Sequence, residues 1–293
     1  MVQYKKTVGQ RIFDICNTIF LLSLVVITLY PLYYVLIASV SDPMKIYTTG
    51  GLLLWPQDFS LGNYITALSY NPIWIGYRNT IFYVVVGGGL SVLLTVMGAY
   101  ALTRRNLPGK NIVMFAIMFT MYFGGGLIPS YMVVKELGML DTVWAVLLPG
   151  CVSTYNLIVT ISYFRGLPYE LEEAAKIDGA GDFTVLFKIM LPLAKPIIAV
   201  IALYYMVSIW NSYFGPMIYL DNPDLKPLQV VLREVLIQSK AEEEAATQGG
   251  AVEAYAEGMK YAVIIIATVP ILCVYPFIQK YFVKGVTIGA VKG

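Results

Sequence analysis

Six long stretches of this chain, 15–40, 79–102, 111–134, 142–164, 196–220 and 261–278, contain no Asp, Glu, Lys or Arg. A helix needs about 20 apolar residues to cross the hydrocarbon core of a bilayer, and each stretch is long enough or nearly so. Composition agrees: 58% of the residues are apolar and only 13% charged, against roughly 25% charged in a soluble domain. The mean hydropathy is +0.70. Such a chain cannot clothe a globule in polar surface, and it is too apolar for disorder. The first stretch follows Lys5, Lys6 and Arg11 as a signal peptide would. It exceeds the about 7–15 residues of a signal core, and no small-residue cleavage site follows it, so it reads as a retained helix. The expected fold is an all-α membrane protein with six transmembrane helices, forming a single transmembrane domain over residues 1–293.

The loops orient the helices. The N-terminus, the loop around 104–110, the loop 165–195 and the tail after residue 279 hold 13 Lys and Arg against 6 acids. Segments 41–78, 135–141 and 221–260 hold 7 basic residues against 12 acids. Positive loops stay inside, which predicts that the N- and C-termini are both cytoplasmic. Trp55, Trp74 and Trp144, with Tyr47, Tyr70 and Tyr77, then fall near the outer ends, where amphipathic rings favour the headgroup zone.

Two loops are longer than a connection requires. The outer loop 221–260 opens on Asp221-Asn222-Pro223-Asp224, shows helical periodicity over 228–238 and ends acidic; it reads either as a docking surface or as a solvated acidic loop. The cytoplasmic loop 165–195 has the composition of two short amphipathic helices. In the first, Pro168 precedes Glu170-Leu-Glu-Glu-Ala-Ala-Lys-Ile177, with acids at the positive helix end. Asp178–Gly179 stops it, since glycine takes the left-handed geometry cheaply. The second is expected over 182–190, capped by Asp182, with Phe183, Leu186, Phe187 and Met190 on one face and Leu191–Pro192 as its stop. A helix lying on lipid headgroups carries a basic polar face. Glu170, Glu172 and Glu173 argue instead for a protein partner.

Several chemistries are excluded. A chain without histidine lacks the usual general base and the usual zinc ligand. Cys16, Cys151 and Cys273 are too widely spaced, inside apolar runs, to form a disulfide framework or hold a metal. A net charge of +2 gives no footprint for nucleic acid. No phosphate-binding loop is present: Gly109–Lys110 is followed by Asn and lacks the upstream glycine. The chain is expected to catalyse nothing, and to bind no cofactor itself.

The spacing Glu173-Ala174-Ala175, then Gly179, then Ile189-Met190-Leu191-Pro192 resembles the signature of the membrane subunit of binding-protein-dependent ABC importers. The wider run 171–180 is similar to the carbohydrate branch, which includes the maltose permeases. Residues 125–129, 141–145, 259–262 and the tail 281–293 look like the subgroup that handles oligo- or polysaccharides such as alginate or pectin fragments. The resemblance implies a type I ABC importer permease fold in a bacterial cytoplasmic (inner) membrane. It also implies a second homologous permease subunit, two ATPase subunits carrying ATP and Mg2+, and an extracytoplasmic solute-binding protein. The expected coupling residues are Glu170, Glu172, Glu173, Ala174, Ala175, Ile177, Asp178, Gly179, Ile189, Leu191 and Pro192. Glu172 or Glu173 would meet basic groups on the ATPase, Ala174 and Ala175 would permit close approach, and the tail either touches the ATPases or frays.

Carbohydrate recognition favours aromatic faces beside hydroxyls and amides. Tyr155, Asn156, Tyr204, Tyr205, Ser208, Asn211 and Tyr213 supply these within the fourth and fifth stretches. They line a wet substrate path or hydrogen-bond between helices. An ion-coupled secondary sugar transporter is the alternative function, to be marked by a broken helix or a buried charge.

Overall fold

A capping box opens the first helix, α1 (Val8–Ser39). The Thr7 hydroxyl accepts from the Gln10 N–H at 3.4 Å, and the Gln10 side chain accepts from the Thr7 N–H at 2.9 Å. In this computed structural model, residues 7–49, 51–104, 106–245 and 258–273 are described. The tail motif 281–293 and its expected ATPase contact lie outside them. So does the acidic part of 221–260 from residue 246 to 257. The chain divides into two units, 1–70 with 234–268, and 71–233 with 269–293.

In the first unit α1 runs 32 residues, and none of its most apolar stretch is covered by the rest of the chain. At about 1.5 Å per residue it is longer than the hydrocarbon core is thick. Two short helices follow, α2 (Pro43–Thr49) and α3 (Gly62–Ser69). Asn63 seats α3 by donating to the Ser39 and Ser41 carbonyls at 3.5 and 3.3 Å. Ala38, Ile46, Leu53 and Tyr261 form a small core, with Tyr34 edge-on to Tyr261.

The second unit is built on α4 (Asn71–Thr103), whose turn at Tyr83–Gly87 is widened into a π-helix. There follow α5 (Lys110–Tyr122), α6 (Leu127–Glu136), α7 (Trp144–Leu147), α8 (Thr154–Arg165), α9 (Glu170–Ile177), α10 (Asp182–Leu193), α11 (Lys195–Trp210) and α12 (Phe214–Tyr219). Its core joins Val96, Ala99 and Leu102 of α4, Leu157, Ile161 and Phe164 of α8, Val185, Leu186 and Met190 of α10, and Ile197 and Ile201 of α11. Beyond α12, α13 (Leu228–Ala245) starts against α4: the Leu228 N–H donates to Thr80 Oγ1 at 2.8 Å. Asn79 donates to the Asp224 and Lys226 carbonyls, and the Tyr83 hydroxyl to the Leu225 carbonyl. The last described helix is α14 (Gly258–Cys273), and the predicted span continues to 278 outside the described residues.

Several of the apolar stretches bend or break. Among the described residues, α1 and α4 are each long and apolar enough to cross a membrane, with α10 and α11 a third candidate bent by 85°. The stretch 111–134 is interrupted at residues 123–126, where Gly126 has φ +82°. Pro149 and Gly150, at φ +72°, interrupt 142–164. The stretch 196–220 breaks at residues 211–213. A hydropathy window sees lipid compatibility; proline and left-handed glycine decide whether the backbone stays helical.

Candidate functional site

Two places in the second unit gather the residues that the sequence singles out. The first is a cavity of about 410 Å3 lined from α4, the α7–α8 connection, α8 and α11. Tyr155, Asn156, Tyr204, Tyr205 and Ser208 all reach it. The Tyr155 and Tyr204 rings lie 6.2 Å apart at 48°. Tyr205 closes its floor: its hydroxyl accepts from the Ser153 N–H at 2.9 Å and lies 2.6 Å from Thr95 Oγ1. Tyr205 therefore both lines the cavity and hydrogen-bonds between helices.

Asn211 and Tyr213 are not part of this lining. Asn211 follows the last turn of α11, and its Nδ2 donates to the Val207 carbonyl at 2.8 Å. Tyr213 is exposed beside Arg233, whose guanidinium stands 5.2 Å from its ring. Both lie at the break that the hydropathy pattern reads as continuous helix. Conversely Tyr83, Ser91, Cys151, Ser153 and Ser212 line the cavity and were not singled out. The breaker pair Pro149–Gly150 was the available signal, since an interrupted helix exposes backbone to a cavity. Gly87 allows the close wall, as a Cβ there would stand 2.9 Å from Leu147 Cδ2.

The second place is the loop 165–195. Helix α9 has all three acids in its first turn, and Gly179 follows at φ +83°. The Ala180 N–H returns to the Ala175 carbonyl at 2.9 Å, and the Gly179 N–H to Lys176 at 3.0 Å, satisfying the helix end. Glu170, Glu173, Ala174, Ile177 and Asp178 are exposed, Ile177 at 85%, while Ala175 is packed inward. The exposed Ile177 stands beside the exposed Lys176 and Asp178 on a face that the described residues leave uncovered.

Glu172 turns inward. It is 5% exposed and pairs with Arg104 and, at 2.9 Å, with Lys176. Burial pushes its carboxyl pKa up, but the bonds and charges of Lys176 and Arg104 override this and hold it below the ordinary value. The same contact raises the pKa of Lys176. Glu172 thus binds within the chain, and of the adjacent pair Glu172 and Glu173 it is Glu173 that is exposed.

The second short helix also differs in detail. Gly181, not Asp182, is its cap, and helix continues through Leu191 and Pro192 to Leu193, turning at the buried Ala194. The π-helical turn at Val185–Met190 lies just before the proline and relaxes the hydrogen-bond ladder that it interrupts. Leu186 and Met190 are buried, whereas Phe183 and Phe187 are exposed; Ile189 and Leu191 pack against the core. Lys110 Nζ donates to the Arg104 carbonyl at 3.2 Å.

An interrupted helical bundle around an uncharged cavity, with an exposed helical loop at 165–195, suits a transport permease. Residues 3–288 match the family described as "Binding-protein-dependent transport system inner membrane component", and the chain belongs to that family. It is 41% identical over 290 residues to Protein LplC of Bacillus subtilis, covering 98% of this chain and 97% of that one. It is 40% identical over 284 residues to the polygalacturonan/rhamnogalacturonan transport system permease protein YtcP of the same organism, covering 97% and 99%. A crystal structure of a bacterial ABC transporter involved in the import of the acidic polysaccharide alginate superposes with a TM-score of 0.87 at 34% identity, over 96% of this chain and 100% of that one. The expected ABC importer permease fold is the fold the chain has.

Proposed function

We propose that this chain is one half of a heterodimeric pore in an ATP-driven, binding-protein-dependent importer of oligo- or polysaccharides, located in a bacterial cytoplasmic membrane. Six membrane crossings with both termini inside remain the topology best supported by the loop charges. Under this reading the breaks in the fourth and fifth crossings lie where Pro149, Gly150 and Ser212 line the cavity, as a bilayer demands. The relatives that carry pectin-type and alginate polymers point to an acidic saccharide. Tyr83, Tyr155, Tyr204, Asn156 and Ser208 offer it ring faces, hydroxyls and an amide.

The observation that carries the proposal is the outward face of α9: Glu170, Glu173, Ala174 and Ile177 exposed, with the helix end held by left-handed Gly179. This face docks in a groove of one of two ATPase subunits, where Glu173 meets basic groups and Ala174 permits close approach. ATP and Mg2+ bind on those subunits and drive their closure. Closure pulls α9 and, through the bend at Ala194, swings α11 with Tyr204, Tyr205 and Ser208. A solute-binding protein delivers the saccharide from outside.

The test is to co-express the chain with the permease, ATPase and binding-protein genes neighbouring its own and to purify on a tag it carries. The expected result is a complex whose ATP hydrolysis rises with saccharide-loaded binding protein and is lost on Glu173→Lys. A chain that purifies alone and moves solute into liposomes without ATPases overturns the proposal in favour of an ion-coupled carrier.

A further inference from the structure

The inward turn of Glu172 joins two elements that are far apart in sequence. Arg104 follows α4 directly and is committed to that helix's last turn. Its Nε donates to the Tyr100 carbonyl at 3.2 Å, one terminal nitrogen donates to Thr103 Oγ1 at 3.2 Å, and its guanidinium carbon lies 4.0 Å from the centre of the Tyr100 ring. The other terminal nitrogen pairs with Glu172 of α9. Both side chains are largely buried, at 19% and 7% exposure. Lys176 extends the cluster, standing 2.9 Å from Glu172 and 3.7 Å from Asp182 across the Gly179 joint.

Val96, Ala99 and Leu102 of α4 share an apolar core with Val185, Leu186 and Met190 of this loop. Such packing is non-directional and lets helices slide by small steps. A buried, bonded ion pair does not slide, because separating it strands a charge away from water. Covalent connection already ties the loop to α8 at one end and α11 at the other. Helix α4, which brings Tyr83, Gly87 and Ser91 to the cavity, has no such connection.

We infer that Arg104 is a positioning residue that yokes α9 to the end of α4, so that one displacement of the loop moves the α4 wall together with the α8 and α11 walls. The inference rests on the importer reading. It makes Arg104 and Glu172 determinants of coupling rather than of ATPase docking, since neither lies on the outward face of α9.

The test uses the assembled importer in lipid nanodiscs, with the three native cysteines changed to Ser and spin labels placed at Leu171→Cys on α9 and Leu93→Cys on α4. Electron-resonance distance distributions are recorded without nucleotide and with Mg-ATP and vanadate, in the wild type, Arg104→Ala and Arg104→Lys. The wild type is expected to keep one narrow distance in both states. Arg104→Ala should broaden or shift it under ATP and vanadate while ATP hydrolysis persists, and Arg104→Lys, which keeps the charge, should narrow it again. With oligogalacturonate as the transported probe, saccharide moved per ATP should fall about threefold or more in Arg104→Ala. An Arg104→Ala distribution as narrow and as fixed as the wild type overturns this inference and leaves the importer reading standing. Failure of the wild-type chain to assemble with ATPases overturns both.

Discussion

The Tyr205 hydroxyl lies 2.6 Å from Thr95 Oγ1 and accepts the Ser153 N–H at 2.9 Å. One phenol thereby joins α11, α4 and the start of α8, around the cavity to which all three contribute. The phenol accepts from Ser153, and in its contact with Thr95 either hydroxyl can be the donor.

Tyr205→Phe should therefore cost about 1 kcal/mol of stability, the scale of interhelical hydrogen bonds in membranes. The measurement is the thermal unfolding midpoint of the detergent-purified chain, which should fall. Saccharide uptake by the assembled importer should fall further than its ATP hydrolysis, since the α9 face is untouched.

Gly179→Val should disrupt docking through backbone conformation alone. A Cβ at this position meets nothing within 4 Å, but φ is +83°. A β-branched residue in that region costs about 1–2 kcal/mol, relieved by letting the Ala180 to Ala175 bond break. Co-purification of ATPase subunits should drop in Gly179→Val and survive better in Gly179→Asn, which tolerates the left-handed region. Equal loss in both variants would show that side-chain volume, not φ, is what matters there.

Gly76→Ala should loosen the segment that follows α12. A Cβ on Gly76 would stand 2.9 Å from Leu228 Cα and 3.2 Å from its nitrogen, and backbone cannot step aside as a side chain can. Overpacking of this kind costs about 1–3 kcal/mol. Limited proteolysis within 221–230 should accelerate, and the unfolding midpoint should fall.

The Glu172 cluster makes stability depend on pH. Its pKa is lowered in the folded chain by Lys176 and Arg104. Its stabilisation is thus fully present above the unfolded carboxyl value and is lost as pH falls through the folded one. Lys176 works in the opposite direction: its raised pKa stabilises below the ordinary lysine value and is lost at higher pH. Unfolding midpoints taken from pH 7 down to pH 4 should drop more steeply for the wild type than for Glu172→Gln.

Residue type and spacing alone determined the membrane class, the helical loop with its glycine stop, and the family. Charge-free length is a property of composition, and the run from Glu173 through Gly179 to Pro192 is local along the chain. The tertiary structure decided what depends on distant neighbours. Glu172 and Glu173 are adjacent acids on one helix, and only the arrival of Arg104, 68 positions earlier in the chain, turns the first inward and leaves the second exposed. Tyr205 and Tyr213 look alike in an apolar run, yet the break at residues 211–213 leaves one beneath the cavity and the other outside it. Pro149 and Gly150 are legible as breakers. What the break makes room for is set by Tyr83, Gly87 and Tyr204 on other helices, because a cavity is the space that several elements together leave unfilled.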